Sequence, residues 1–210
     1  MITEFIETAG VVGYPLLLAA FLMIFIIIER TIVFLINYRK INKDQYLKAV
    51  INFNEDSAEN NILKKKKGIA AEIYYNLLRK KPNNQEEFNL YLDAEEVDKL
   101  PKLEKHLGFL NFIAQVSPTL GLLGTVSGMI KTFQVLGVGG SPEQMALGIS
   151  EALFTTAAGL IISLPAAAFY HYFYAKIEQL HNQLNNLRLE SESRLFKGEI
   201  KERDNNEISA

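Results

Sequence analysis

The chain contains no cysteine. A disulfide scaffold, a thiolate zinc site and a cysteine nucleophile are therefore excluded. Histidine is scarce, with His106, His171 and His181 too scattered to form a His-rich metal site. An excess of either charge is missing as well. The 22 Lys plus Arg stand against 24 Asp plus Glu, for a formal net charge of −2. That balance excludes a nucleic-acid binder working by bulk basicity. No Gly-rich loop followed by Lys-Ser or Lys-Thr is present to cradle a phosphate, and no Ser-His-Asp set is placed where water reaches it. No catalytic template fits, so the chain reads as a non-enzyme without cofactor or metal.

Charge is absent locally too. Leu16 to Ile28 is an unbroken apolar run, and after Glu29 and Arg30 it resumes from Thr31 to Ile36. Leu107 to Ile130 and Ala152 to Ala175 each hold 24 residues without Asp, Glu, Lys or Arg. A helix needs about 20 residues to cross the hydrocarbon core. The pattern predicts an all-α integral membrane protein with spans at 16–38, 107–136 and 148–175. The N-terminus carries Glu4 and Glu7 and no basic residue, unlike a signal peptide, so the first span is expected to be retained.

Basic residues fix the expected orientation. Residues 1–15 and the connection 137–147 hold no Lys or Arg, whereas 37–106 holds 14 and the tail after Ala175 holds six. Basic loops stay in the cytoplasm. The expectation is a periplasmic N-terminus over 1–15, a cytoplasmic helical region over 39–106, a short periplasmic loop, and a cytoplasmic helix and tail over 176–210. Within 39–106, Ile69, Ile73 and Leu77 show helical spacing that stops before Pro82. Asn84 and Glu87 fit a capping box, and Pro101 should kink or restart the helix that follows. The Lys64–Lys67 run is a solvated charged turn or a contact for anionic lipid. Ile177, Leu180, Leu184 and Leu187 form a stripe at spacings of three and four. It packs either between subunits or against the 37–106 region. Residues after Gly198 are polar and read as disordered.

Inside the spans, Ala114, Pro118, Gly121, Thr125 and Gly128 fall on one helix face, as do Gly148, Ala152, Thr156, Gly159, Ser163 and Ala167. Small residues let helices approach closely in lipid, where little hydrophobic force acts between them. Such faces imply packing against other helices, including those of other copies. Gly124 adds to the small character of the second span. Glu151, beside the third small face, reads either as an ion or proton relay or as a headgroup-zone residue. The hydroxyls of Thr125 and Thr156 either serve an ion path or bond back to their own helices. Glu29 and Arg30 read as structural charges, while Lys131, Tyr38, Arg39, Tyr170, Tyr172 and Tyr174 read as interfacial anchors.

The run Ala114-x-x-x-Pro118-x-x-Gly121-Leu122-Leu123-Gly124-Thr125-Val126-x-Gly128-Met129-Ile130-x-x-Phe133 resembles the second-span signature of the MotA/TolQ/ExbB proton channel family. Gly148-Ile149-x-Glu151-Ala152-Leu153-x-Thr155-Thr156-Ala157-x-Gly159-Leu160, with Pro165-Ala166, resembles its third-span signature. The length and three spans are similar to the ExbB and TolQ branch. The resemblance implies a stator-type subunit of the bacterial inner membrane, a homopentameric ring around a dimer of single-span ExbD- or TolR-like proteins. In that family an aspartate of the partner helix carries H⁺, with Na⁺ the alternative ion. It assigns Thr125, Glu151 and Thr156 to the pore wall and places a TonB- or TolA-like protein downstream, with TonB-dependent import as the favoured load. Ser117, Lys131 and Pro101 depart from the family pattern. A membrane scaffold without ion flux and a self-contained cation channel are the competing readings.

Overall fold

The computed structural model describes residues 2–37 and 68–195. Tyr38, Arg39, the Lys64–Lys67 run and the tail after Gly198 lie outside the described residues. Among the described residues six helices follow in order: α1 Ile2–Asn37, α2 Ile69–Arg79, α3 Gln85–Lys99, α4 Pro101–Glu104, α5 Leu107–Gly137 and α6 Pro142–Leu195. The described residues contain no strand. Among the described residues three helical stretches are long and apolar enough to cross a membrane. The chain divides into two compact units. One comprises Met1–Arg30 with His106–Tyr174, the other Thr31–Lys105 with Ala175–Ala210.

The first unit holds the three apolar segments. Its apolar first span begins at Ala9, before the Leu16 read from hydropathy. The helix is interrupted at Gly10, whose φ of 58° and ψ of −149° suit a residue without a Cβ. Pro15 lies within the first turns of the restarted helix. α5 runs without interruption from Leu107 to Gly137. α6 starts earlier than expected, because the sequence Ser141-Pro142-Glu143-Gln144 is a start signal. Ser141 N–H donates to Gln144 Oε1 at 3.1 Å, and Gln144 N–H donates back to Ser141 Oγ at 3.4 Å. That reciprocal pair satisfies two donors that a helix start leaves open. Pro118 and Pro165 sit inside α5 and α6 without ending them. Apolar spans tolerate proline where neighbouring helices and hydroxyls re-satisfy the backbone.

The second unit packs α2, α3 and α4 with the C-terminal part of α6. Ile73, Tyr74, Leu77, Phe88, Leu92 and Leu103 are fully buried. So is the predicted α6 stripe of Ile177, Leu180, Leu184 and Leu187, each 5% exposed or less. Its partners are this chain's own helices. Tyr74 Oη donates to the Leu184 carbonyl at 3.4 Å, and Arg188 binds Asn89 and Asp93, each at 2.7 Å. The stripe is thus covered within the chain, which decides between the two packings open from sequence. Surface ion pairs such as Lys99–Glu72 at 2.6 Å fringe this core.

One local expectation changes and one holds. Asn84 caps α3 by accepting Glu87 N–H at 2.8 Å, but the Glu87 carboxylate reaches Asn83 rather than Asn84. Pro101 restarts the helix as expected: α3 ends at Lys99, Leu100 stays helical and donates to the Glu96 carbonyl at 2.9 Å, and α4 begins at Pro101, so the helical course continues. Proline is accommodated as the first residue of α4, where no N–H is needed. The break falls at Lys105 and at His106, which takes a left-handed φ of 64°.

Replacing Leu184 by Ala removes a fully buried side chain from the stripe. It should destabilise this unit by about 2–5 kcal/mol. Limited proteolysis of the full chain in detergent should then cut between α2 and α4 at lower temperature than in the wild type.

Candidate functional site

The small faces of α5 and α6 meet each other. On α5 the buried line is Ala114, Ser117, Gly121, Gly124, Gly128 and Thr132; on α6 it runs through Ala152, Thr155, Ala158, Gly159, Ile162 and Ala166. A Cβ on Gly121, Gly124, Gly128, Gly148 or Gly159 would stand under 3.0 Å from an atom of the facing helix. The obstacles are the Thr155 carbonyl, the Thr155 side chain, the Ala152 Cβ, the Thr132 hydroxyl and the Ser117 carbonyl respectively. Glycine at these points is what permits the approach. The small faces imply partners that include other copies; here they are spent on one another.

Hydroxyls cross the seam. Thr156 Oγ1 donates to the Gly121 carbonyl at 3.1 Å, and Ser163 Oγ donates to the Ala114 carbonyl. Thr155 Oγ1 bonds back to Ala152 at 2.8 Å and leans on the same Gly121 carbonyl at 3.4 Å. Such bonds average about 0.6 kcal/mol each in membranes, so close packing over many turns supplies the rest. Thr155, 2% exposed, fills the centre of the seam although it is missing from the small face that spacing alone picks out. The signal is in the sequence: Thr155 stands three residues after Ala152 and four before Gly159, one residue around from that face.

That one-residue rotation affects the other candidates. Pro118 and Thr125 lie at the edge of the seam, half-buried. The Thr125 hydroxyl bonds back to the Leu122 carbonyl of its own helix at 2.6 Å. Glu151 is half-buried beside the seam. It shares a small recess with Gly124, Ser127, Gly128, Lys131 and Thr155, closed by Ala9 to Val12 of α1. The Lys131 ammonium lies against Gly10, 3.5 Å from where a Cβ there would sit. Glu151 and Lys131 line this recess without an ion pair between them. Among the described residues, the Glu151 carboxylate has no hydrogen-bond or ion-pair partner. A carboxylate at membrane depth costs roughly 2.5–3.5 kcal/mol by insertion scales.

Glu29 and Arg30 pair with each other, Arg30 Nη2 to Glu29 Oε1 at 2.8 Å, and Arg30 is buried. The other Glu29 oxygen lies 2.7 Å from Nδ1 of His106. This contact ties the end of the first apolar segment to the residue that opens α5. It also holds His106 in its left-handed conformation, which costs a residue with a Cβ about 1–2 kcal/mol. The partnership spans 77 positions and leaves no trace in the local sequence. Among the described residues no cluster of three metal-ligating side chains occurs.

Residues 55–186, more than half of the chain, match the MotA/TolQ/ExbB proton channel family. The chain belongs to that family. It is similar to an ExbB-like biopolymer transport protein of Synechocystis sp., 32% identical over 178 residues covering 78% of this chain and 66% of that protein. The biopolymer transport protein ExbB of Aquifex aeolicus is 34% identical over 80 residues, 37% of this chain and 54% of that one. The Tol-Pal system protein TolQ of Pseudomonas aeruginosa is 41% identical over 81 residues, 38% of this chain and 35% of that one. This chain thus spans from about a third to two thirds of these relatives. These relatives place it in the ExbB/TolQ-like branch, and its three apolar helices fit a multi-pass membrane protein of that proton channel family.

Gly124→Ala should force α5 and α6 apart at Thr155, an overpacking cost of about 1–3 kcal/mol. Gly108, where an added Cβ would meet nothing within 4 Å, provides the matched control. Thermal aggregation in detergent should shift down by several degrees for Gly124→Ala and stay level or rise for Gly108→Ala.

Proposed function

We propose that the chain is an ExbB/TolQ-like stator subunit that couples a downhill flow of H⁺ to movement of a partner helix pair, powering work at the cell envelope. What supports this is the α5–α6 seam. It sets Thr156 at an interhelical carbonyl and leaves Glu151 without a partner in a recess beside it. Several copies, five by family likeness, arrange these walls around a central dimer of single-span ExbD- or TolR-like proteins. The three spans of this chain carry no aspartate. The partner helix supplies the carboxylate that carries the ion, and Glu151, Thr125 and Thr156 form the wall it passes.

The energetics suffice. One charge crossing 100 mV releases about 2.3 kcal/mol, several times the value of a single hydroxyl bond across the seam. A few ions therefore move a packed helix pair past the wall. The N-terminus and the α5–α6 turn face the periplasm in this reading, and the second unit is cytoplasmic. The load is TonB-dependent import, through a TonB-like protein, with Tol-type envelope maintenance through a TolA-like protein as the other outlet. The driving ion is H⁺, with Na⁺ as the alternative.

The functional test is ion flux in proteoliposomes holding this chain with its single-span partner. Glu151→Ala and Thr156→Ala should each lower partner-dependent flux about tenfold or more, equivalent to about 1.4 kcal/mol at the barrier. Thr156→Ser should retain most of it. Unchanged flux in both alanine variants would leave only a scaffold, and full flux without the partner would make the chain a self-contained channel.

Orientation has its own test, made simple by the absence of native cysteine. Gly139→Cys in the α5–α6 turn should react with a membrane-impermeant maleimide added to spheroplasts. Asn83→Cys, between α2 and α3, should react only after lysis. The reverse pattern would invert the topology.

A further inference from the structure

A groove of about 480 Å³ runs between α1 and α5 in the membrane-spanning unit. Leu18, Ala19 and Leu22 form one wall, and Phe109 and Phe112 form the other. His106 stands at one mouth, held by Glu29, while Pro15 and Leu120 mark the far end. Its lining is apolar apart from His106 at the mouth and Ser117 on the floor.

Its dimensions identify an occupant. Pro15 to Ile26 on α1 and His106 to Leu120 on α5 correspond to about 16 and 21 Å at 1.5 Å per residue. One leaflet contributes about 15 Å, half of a hydrocarbon core of about 30 Å. Spreading 480 Å³ over those lengths leaves a mean cross-section of about 23–30 Å². A helix with side chains, about 10–12 Å across, needs roughly 80–110 Å². The groove therefore cannot enclose a whole helix, and it takes one extended hydrocarbon chain lengthwise. The lining also has the polarity of an amphiphile, polar at one mouth and apolar for the rest of its length.

We propose that this groove is a lipid site, holding one acyl chain of a phospholipid from the leaflet on the Glu29–His106 side, with its headgroup beside His106. The bound chain fills the space that two helices alone leave open and fixes the first span against the second. Lipid occupancy is thus a condition of α1 placement, independent of which ion flows through the assembly.

The test uses the full chain, co-purified with whatever it assembles with, in nanodiscs containing a phosphatidylethanolamine with a diazirine on its acyl chain. After irradiation, mass spectrometry should find the label concentrated on Leu18, Leu22, Phe109 and Phe112 over Phe21 and Ile24, apolar α1 residues that are exposed outside the groove. Ala19→Phe, which plugs the groove, should lower that labelling about tenfold, the equivalent of about two buried methylenes. Ile24→Phe should leave it unchanged. Equal labelling of Phe21, Ile24 and the groove residues would overturn the site even if Ala19→Phe fails to accumulate. So would a benzoylphenylalanine at position 112 that crosslinks to a second copy of the chain instead of to lipid.

Discussion

Close approach of two backbones through glycine governs this molecule. In water, a pair of helices is held by removing apolar surface from solvent. In lipid that force is nearly absent, and contact must come from fit. α5 and α6 achieve fit by omitting side chains where they meet. Gly121, Gly124 and Gly128 on α5 face Thr155, Thr156 and Ala152 on α6, while Gly148 and Gly159 return the arrangement from the other side. The seam fixes the rotation of both helices. It therefore decides which polar groups are consumed by packing and which remain available. Thr155 is consumed, Thr156 is shared with a carbonyl, and Glu151 is left over.

The same logic divides labour along α6. This single helix extends from Pro142 to Leu195. Its first part is built of small residues for contact in lipid, its last part of Leu and Ile at spacings of three and four for contact by burial. The change in composition near Ala175 marks a change of solvent. Charge returns there, and Arg188, Asn89 and Asp93 fringe a core of the kind found in soluble proteins.

Much of this is legible in the residues. Charge-free stretches locate three spans, and periodicity locates α2 and the α6 stripe. Caps are partly legible: Asn84 announces α3, whereas hydropathy starts α6 too late because the cap at Ser141-Pro142-Glu143-Gln144 lies ahead of the apolar run. Spacing finds the seam but rotates it by one residue, because Pro118 and Thr125 are as compatible with a small face as Ser117 and Gly124. Only the facing helix distinguishes them. Pro101 announces the restart that begins α4, while the break in the helical course at Lys105 and His106 carries no such signal. The Glu29–His106 contact is beyond reach, since pairing across 77 positions depends on how α1 and α5 come together. A lone charge in an apolar run says that a partner is needed without saying where it lies.

The central claim is that α5 and α6, locked by glycine, line a ring of several copies whose axis is filled by a foreign helix pair. The most direct measurement is a cryo-electron microscopy reconstruction of the complex co-expressed with its single-span partner. The account predicts multiple copies of this chain around the partner helices, with Glu151 and Thr156 turned toward the axis. A chain that stays monomeric, or one whose Glu151 and Thr156 face the acyl chains, contradicts it.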